Sequence, residues 1–212
     1  ENEIFAVGNG KYLKIEEIQE GEEIFGVITD VTEEIRKRRE IEYQRDHDQL
    51  TGLFNRTGRD ARLSKILEEC REPYYCAAVM VDADDLKMVN DTYGHEKGDE
   101  FIQTFTYCLT RILDSDSFLA RYGGDEFILI QQNTSLSELQ HMAEKLDSLV
   151  QEYNTRTTLP LSYAIGYEVS FQNHYFMMED LINAADKKMY QDKASKKIAA
   201  IRELAPSTHS RN

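Results

Sequence analysis

Two adjacent glycines followed by two adjacent carboxylates constrain the fold of this chain more than any other feature. The run Gly123-Gly124-Asp125-Glu126 separates two segments, 117–122 and 126–131, that have the length and composition of β-strands. Gly-Gly suits a two-residue turn in which both central residues have positive φ, so the pattern predicts a tight hairpin with acid at its tip. Carboxylates held there beside accessible backbone suit a divalent cation and the phosphates that it carries. Taken alone, such a turn is more typical of an ordinary solvent-exposed hairpin.

A second group of acids follows an apolar segment. Residues 75–82 form a nearly continuous apolar run that ends in Asp82, which predicts a buried central strand whose carboxyl end opens onto a site. The stretch 83–91 adds further acids, a lysine and an asparagine within one predicted loop, although acids there are also typical helix caps. If the two strands are adjacent, Asp82, Asp125 and Glu126 converge. Oxygen-only ligands of this kind favour magnesium or manganese over zinc.

Four separated motifs resemble the GGDEF-domain diguanylate cyclases, which join two GTP molecules into cyclic di-GMP and release two pyrophosphates. They are His47–Arg56, Asp82–Asp99, Gly123–Phe127 and Ala185–Lys193, which occur in the family's order and cover roughly residues 46–203. The resemblance implies an α/β (α+β) fold of the ferredoxin-like, nucleotide-cyclase palm type, in which a sheet of βαββαβ order is flanked by helices.

The resemblance also implies a role for individual residues. Asp82, Asp125 and Glu126 are expected to be catalytic and, with the backbone carbonyl of Ala83, to bind two Mg²⁺ (or Mn²⁺) ions. The implied substrate-binding residues are Leu86, Lys87, Asn90, Asp99, Gly124, Lys193 and Lys197. Among them Asn90 and Asp99 are expected to bind guanine, and Lys87 and Lys193 to contact phosphate.

Asp99 bears on the choice of nucleotide. A carboxylate can accept hydrogen bonds from N1 and N2 of guanine together, an edge that adenine does not offer, and an unpaired buried acceptor makes the wrong base costly. The residue therefore favours GTP, whereas serine there would admit adenine, as in the family's mixed-dinucleotide members. Simpler interpretations remain open: Asn90 as a turn residue, Asp99 as an acid on a helix face and Lys193 as a solvated side chain.

The implied reaction needs two copies of the domain. Each domain has one nucleotide pocket, and the 3′-hydroxyl of one GTP attacks the α-phosphate of the other, so a homodimer with antiparallel substrates is expected. Two divalent cations would neutralise the triphosphate and lower the pKa of the attacking hydroxyl. Glu126 is the expected helper for deprotonation, but the sequence does not separate a base from a metal ligand.

Two departures from the family pattern stand out. Many members have an Arg-x-x-Asp product-inhibition site, but the corresponding positions 114–117 read Asp-Ser-Asp-Ser, so no inhibitory site is expected. Arg111 and Asp114 have the right spacing three residues too early, and we interpret them as a helix-terminal arginine and a loop acid. After Lys193 the family usually has Gly and Arg, where this chain has Ser195-Lys196-Lys197. Lys197 can supply a point charge to a phosphate but not a bidentate fork, which favours weaker substrate binding.

Composition excludes several classes of protein. The net charge of −14 over 212 residues, with no basic stripe, argues against a nucleic-acid-binding role. Three cysteines without a Cys-x-x-Cys spacing fit buried, reduced thiols of the cytoplasm. No apolar run is long enough to span a bilayer and there is no signal peptide, so we expect a segment without membrane contact. Attachment of a longer protein to a membrane through regions upstream stays open.

The chain is expected to divide near residue 46. Residues 1–30 read as three short strands that resemble the end of a PAS sensor domain, and thirty residues cannot bury an independent core. Residues 31–47 read as a charged helical linker with Asp30 or Thr32 as N-cap, the catalytic domain spans 48–203, and 204–212 form a flexible tail. In that domain we predict helices at 56–70, 97–113, 135–154 and 178–193, and strands at 75–82, 117–122, 126–131, 161–169 and 198–202.

Two other functions remain open. One is a domain that binds GTP without turning it over and acts as a receptor or interaction module, although Asp82, Asp125 and Glu126 are all present. The other is an enzyme that uses adenine nucleotides, against which Asp99 argues.

Overall fold

A computed structural model of the chain describes residues 2–21, 23–69, 74–172 and 176–204. The chain forms two compact units, Glu1–Asp46 and His47–Asn212. Within the described residues, no helix combines the length and the apolar character needed to cross a membrane. The cytoplasmic location stays a prediction.

The first unit is a small antiparallel sheet followed by a helix. Strands β1 (Asn2–Val7), β2 (Lys11–Glu20) and β3 (Glu23–Asp30) lie in that order, and helix α1 covers Thr32–Asp46. The carboxylate of Asp30 accepts a hydrogen bond from the backbone N–H of Thr32 at 3.0 Å, as an N-capping side chain does. The three strands and the helix are as predicted. Their origin in a PAS-type domain stays a prediction.

The described residues of the second unit form one sheet and five helices. The elements are α2 (Arg56–Glu69), β4 (Tyr74–Ala83), α3 (Leu86–Tyr93), α4 (His95–Thr110), β5 (Ser117–Arg121), β6 (Glu126–Gln132), α5 (Leu136–Asn154), β7 (Tyr163–Gln172) and α6 (Phe176–Leu204). The strands lie in the order β5-β6-β4-β7 and every neighbouring pair is antiparallel. This βαββαβ arrangement confirms the predicted fold class.

Helices cover both faces of this sheet. Helices α4 and α5 pack on one face around Phe105 and Phe127, and α2 and α6 pack on the other around Leu63 and Ile128. Strand β4 lies inside the sheet and is buried on both faces, which explains why its sequence is an almost unbroken apolar run although its neighbours are antiparallel. Cys76 and Cys108 are buried free thiols, as predicted, and Cys70 lies outside the described residues.

The prediction differs from the structure at two elements. The helix expected at 97–113 is present as α4, two residues earlier at its start and three at its end, but α3 before it was not predicted, and Gly94 separates the two helices with a φ of 87° that other residues rarely adopt. The strand expected at 198–202 is wrong, because these residues belong to α6, which continues to Leu204. Residues 196–204 consist of Lys, Ile, Ala, Arg, Glu and Leu without glycine or proline, so strong helix formers outweigh the short apolar pattern.

Candidate active site

The signature hairpin differs from the predicted turn. Four residues, 122–125, join β5 to β6, and the N–H groups of Tyr122 and Gly123 both donate to the carbonyl of Glu126, at 2.7 and 3.2 Å. Neither Gly123 nor Gly124 has positive φ, so the two-residue primed turn is wrong. The loop is instead shaped by bonds from outside it, because Ala83 N–H donates to the carbonyl of Asp125 at 2.9 Å. That bond joins the tip of the hairpin to the end of β4.

Two acids face each other across neighbouring strands. Asp82 and Glu126 are direct partners in the antiparallel pairing of β4 with β6. Directly opposed residues project from the same face of a sheet with their Cβ atoms about 5 Å apart. Asp125 precedes Glu126 in the hairpin loop, so the structure brings all three predicted carboxylates to one end of β4 and β6.

Lys193 reaches this end of the sheet from α6. Its Nζ lies 2.5 Å from Oδ1 of Asp82, a buried carboxylate with 6% exposure. Burial by itself would lower the pKa of Lys193, but the hydrogen bond and charge of Asp82, together with Asp84 and Asp125, raise it. The ammonium group is therefore held among acids, and the interpretation of Lys193 as a fully solvated side chain is wrong.

Negative charge is concentrated around Glu126. Its pKa is raised, first by burial and then by the charges of Asp125, Asp82 and Asp186. In the part of the chain that the structure describes, no three His, Cys, Asp or Glu side chains already have the spacing of a metal site. The donor set nevertheless fits a hard cation, because the available ligand atoms are carboxylate and carbonyl oxygens. The positive charge of Lys193 offsets only part of the negative charge of these carboxylates.

A cavity opens beside these acids. Its volume is about 760 Å³, and its lining includes Asp82, Glu126, Asp186, Lys193 and Lys197. Lys197 follows Lys193 by one helical turn and therefore lies on the same face of α6. The cavity thus presents acids from the sheet opposite basic side chains from the helix, which suits a metal-bound polyphosphate.

The segment after β4 leads directly into α3. Asp84 donates its N–H to the carbonyl of Ser162 at 2.9 Å and accepts from the Ser162 hydroxyl at 2.8 Å, and Asp85 has a left-handed φ of 65°. Leu86 then begins the helix and packs against the core, and Lys87 is exposed. The prediction of one loop through residue 91 is therefore wrong, because the chain turns sharply at Asp85 and continues as a helix.

Asn90 lies against the first turn of α4. A Cβ atom on Gly98 would come within 1.8 Å of the side-chain Oδ1 of Asn90, so the carboxamide occupies the space that any larger residue at 98 would need. Asp99 follows Gly98 on the helix and is exposed. The structure therefore brings the two predicted guanine ligands to the junction of α3 and α4.

Comparison with known proteins identifies the family of this unit. A sequence model described as "Diguanylate cyclase, GGDEF domain" matches residues 45–198. The chain belongs to the GGDEF domain family.

Curated relatives combine this domain with other regions. The chain is 30% identical to the response regulator PleD of Caulobacter vibrioides over 82% of this chain and 42% of PleD. It is 32% identical to the cyclic di-GMP phosphodiesterase PdeR of Escherichia coli over 78% of this chain and 25% of PdeR. The chain thus spans well under half the length of these relatives.

Solved structures show the same fold. The coiled coil and GGDEF domain of DgcB from Caulobacter crescentus, solved in complex with c-di-GMP, superposes with a TM-score of 0.65 at 26% identity. The match covers 77% of this chain and 88% of that one. Strand and helix order in the second unit is therefore that of a GGDEF domain.

The GGDEF hairpin has a support that sequence reasoning missed. The guanidinium of Arg121 donates to the Gly124 carbonyl at 2.6 Å and to Asp48 at 3.1 Å, and Asp48 also accepts from the N–H and hydroxyl of Thr51 at 2.9 and 2.7 Å. Burial raises the pKa of Asp48, but the bonds from Thr51 and Arg121 and the arginine's charge outweigh it and lower the pKa. The start of the domain thereby fixes the signature loop. The signal in the sequence that could have indicated this contact is an arginine two residues before Gly123.

The misplaced Arg-x-x-Asp has ordinary structural partners. Arg111 is the C-cap residue of α4, as predicted, and its guanidinium donates to the Tyr107 hydroxyl at 2.8 Å. Asp114 lies in the loop before β5, where its carboxylate accepts from the N–H of Asp116 at 2.9 Å. The lack of an inhibitory site stays a prediction.

Proposed function

We propose that this GGDEF domain is a diguanylate cyclase that condenses two GTP molecules into cyclic di-GMP and two pyrophosphates. The observation that supports this most strongly is the direct cross-strand pairing of Asp82 with Glu126 beside Lys193, at a cavity of about 760 Å³. The relative DgcB, whose GGDEF domain was solved with c-di-GMP, adds support from the same fold.

The acids would hold two Mg²⁺ or Mn²⁺ ions. Asp82, Asp125 and Glu126 supply carboxylates and Ala83 supplies its carbonyl oxygen. When bound, the ions neutralise triphosphate charge and lower the pKa of the attacking 3′-hydroxyl. Glu126 would also accept the proton of the attacking hydroxyl, because it lies at the site directly opposite Asp82.

Other residues would bind the nucleotide. Asn90 and Asp99 would recognise guanine, and the first N–H groups of α3, from Leu86 and Lys87, offer unpaired donors to phosphate. Lys193 and Lys197 would contact the triphosphate as point charges. Gly124 leaves its surroundings open, since a Cβ atom there would meet nothing within 4 Å, and phosphate can approach the backbone closely.

The reaction would take place between two domains in a homodimer. Each 3′-oxygen forms a bond to the α-phosphorus of the opposite GTP while the bond to the β-phosphate oxygen breaks, so one pyrophosphate leaves for each ester formed. Two such steps close the ring. Because each domain is proposed to bind one GTP, a single domain would bind GTP without completing the product.

Product analysis tests the proposal. The purified chain is incubated with GTP and magnesium, the products are separated by chromatography, and the oligomeric state is measured by light scattering. We expect one cyclic di-GMP per two GTP from dimeric wild type and none from the double variant Asp125→Ala, Glu126→Ala. Glu144→Ala, which removes an acid on α5 with 77% exposure, is the matched control and should keep full activity.

Three results would contradict the proposal. GTP binding without product in a demonstrably dimeric sample would favour a receptor role. Equal product from the double variant would show that these acids are not catalytic. Product from ATP as readily as from GTP would instead point to an adenine-using enzyme and refute the role of Asp99.

A further inference from the structure

We infer that Asp192 and Lys196, two residues of α6, act as positioning residues that hold Lys193 against the acids of the site. Asp192 Oδ2 accepts the backbone N–H of Ile165 at 3.0 Å. Lys196 Nζ lies 2.8 Å from the same Oδ2 and donates to the carbonyl of Tyr163 at 2.7 Å. The benefit of these contacts for GTP binding rests on the proposed function, whereas the contacts that hold Lys193 in place do not.

We call Asp192, Lys196 and their two backbone partners the clamp. The clamp lies along the outer edge of a strand. Strand β7 is at the edge of the sheet and pairs with β4 on its other side. Edge strands leave every second N–H and C=O without a sheet partner, and Ile165 and Tyr163 are two residues apart. Side chains of α6 therefore satisfy consecutive edge groups that would otherwise bind water.

Helix α6 approaches β7 too closely to rotate freely. A Cβ atom on Gly166 would lie 2.1 Å from the backbone nitrogen of Met189 and 2.3 Å from the carbonyl of Ala185. The helix backbone therefore rests directly on the strand one turn before Asp192. With the clamp on the following turn, α6 is fixed at two successive points along β7.

Lys193 lies between the two members of the clamp. It follows Asp192 directly and precedes Lys196 by three residues, and its Nζ meets Asp82 at 2.5 Å. A lysine side chain has many rotamers, so fixing its helix and directing its ammonium group before substrate binds lowers the ordering cost at binding. Lys196, where the family usually has glycine, is thereby given a role in this chain.

Amine labelling tests the geometry without nucleotide. The full chain is acetylated briefly, and modification of Lys193 is measured by mass spectrometry. Asp192→Ala and Lys196→Met should raise labelling of Lys193 about fivefold, the effect of losing roughly one hydrogen bond. Lys188→Met is the matched control, because Lys188 also pairs with an acid of β7, Glu168, and both lysines have 48% exposed side chains. It should leave labelling of Lys193 unchanged.

Titration of a fluorescent GTP analogue adds the functional arm. The two clamp variants should bind it about fivefold more weakly than wild type, with thermal unfolding used to confirm that each variant is folded. If Asp192→Ala does not fold, Lys196→Met decides. Unchanged labelling of Lys193 in the folded clamp variants, or an equal rise in Lys188→Met, overturns the inference. Wild type that fails to bind the analogue refutes the proposed function, while the labelling result still decides the clamp.

Discussion

Replacing Gly98 with alanine separates recognition of guanine from stability of the fold. The added Cβ would lie 1.8 Å from Oδ1 and 2.8 Å from Cγ of Asn90, closer than a Cβ atom can approach them. These atoms are the end of a rotatable side chain, so Asn90 will turn away while the backbone stays. The variant should therefore fold but lose one of the two proposed guanine ligands.

Two contributions to the free energy of unfolding of Gly98→Ala oppose each other. Alanine in a helix is favoured over glycine by about 1 kcal/mol, and forcing Asn90 from its rotamer costs about 1 kcal/mol, so the free energy of unfolding should change little. Loss of a hydrogen bond to the base, with its partner left unpaired, costs about 1–3 kcal/mol, which corresponds to a roughly 5- to 150-fold rise in the Kd for GTP.

Calorimetric titration with a slowly hydrolysed GTP analogue, with urea unfolding on the same samples, measures both quantities. Thr104→Ala is the control, since it also places alanine in α4 and removes a hydroxyl that donates to the Glu100 carbonyl of the same helix. A folded Gly98→Ala protein that binds the analogue as tightly as wild type would refute the role of Asn90.

Three further substitutions probe the same unit. Glu126→Gln should raise the Tm of the metal-free protein at pH 7 to 8, because the raised pKa of Glu126 in the folded state means that its ionised form destabilises the fold. This destabilisation grows as the pH rises through that pKa. It disappears below about pH 4, where the two proteins should have the same Tm. Asp48→Ala should lower the free energy of unfolding by about 2 kcal/mol in urea, because it removes the carboxylate that pairs with the charge of the largely buried Arg121, whereas Glu152→Ala, from an exposed pair, should change it by less than about 0.5 kcal/mol. Gly166→Ala should cost about 3 kcal/mol by the same assay, because its Cβ would lie 2.1 Å from a backbone nitrogen of α6; equal stability would contradict the close helix contact.

Much of the fold could be predicted because local pattern and burial agree. The apolar run before Asp82 predicts strand β4 to within one residue at each end, and the helix predicted at 135–154 matches α5, whose start carries a capping box of Ser135 and Glu138. In such segments the residues that determine the element lie within it. The order of these elements then specified the βαββαβ sheet.

The errors arose where distant residues decide. Gly123-Gly124 has a strong local turn preference, but Arg121 and Ala83 hold the loop carbonyls and select another conformation. Helix α3 was missed because it has only eight residues and follows a left-handed Asp85. In the hairpin, tertiary contacts override the local turn preference, whereas α3 is too short for its sequence pattern to indicate a helix.

The candidate site divides in the same way. Asp82, Asp125 and Glu126 were found because acids at strand ends have a readable pattern. The hydrogen bonds that hold the signature loop and α6 in place were not predicted. The bond from Arg121 to Asp48 spans 73 residues of sequence, and that from Ile165 to Asp192 spans 27. No periodicity links residues so far apart, and only the folded chain shows that they meet.

The uptake of Mn²⁺ in the presence of a slowly hydrolysed GTP analogue tests the central claim most directly. Electron paramagnetic resonance measures the free ion, with the analogue alone as reference. We expect wild type to take up more Mn²⁺ than the analogue alone, and this excess to vanish in Asp82→Ala and in Glu126→Ala while Glu144→Ala retains it. The same excess in all four proteins, or none in folded wild type, would contradict a site in which acids of β4 and β6 hold divalent ions against GTP.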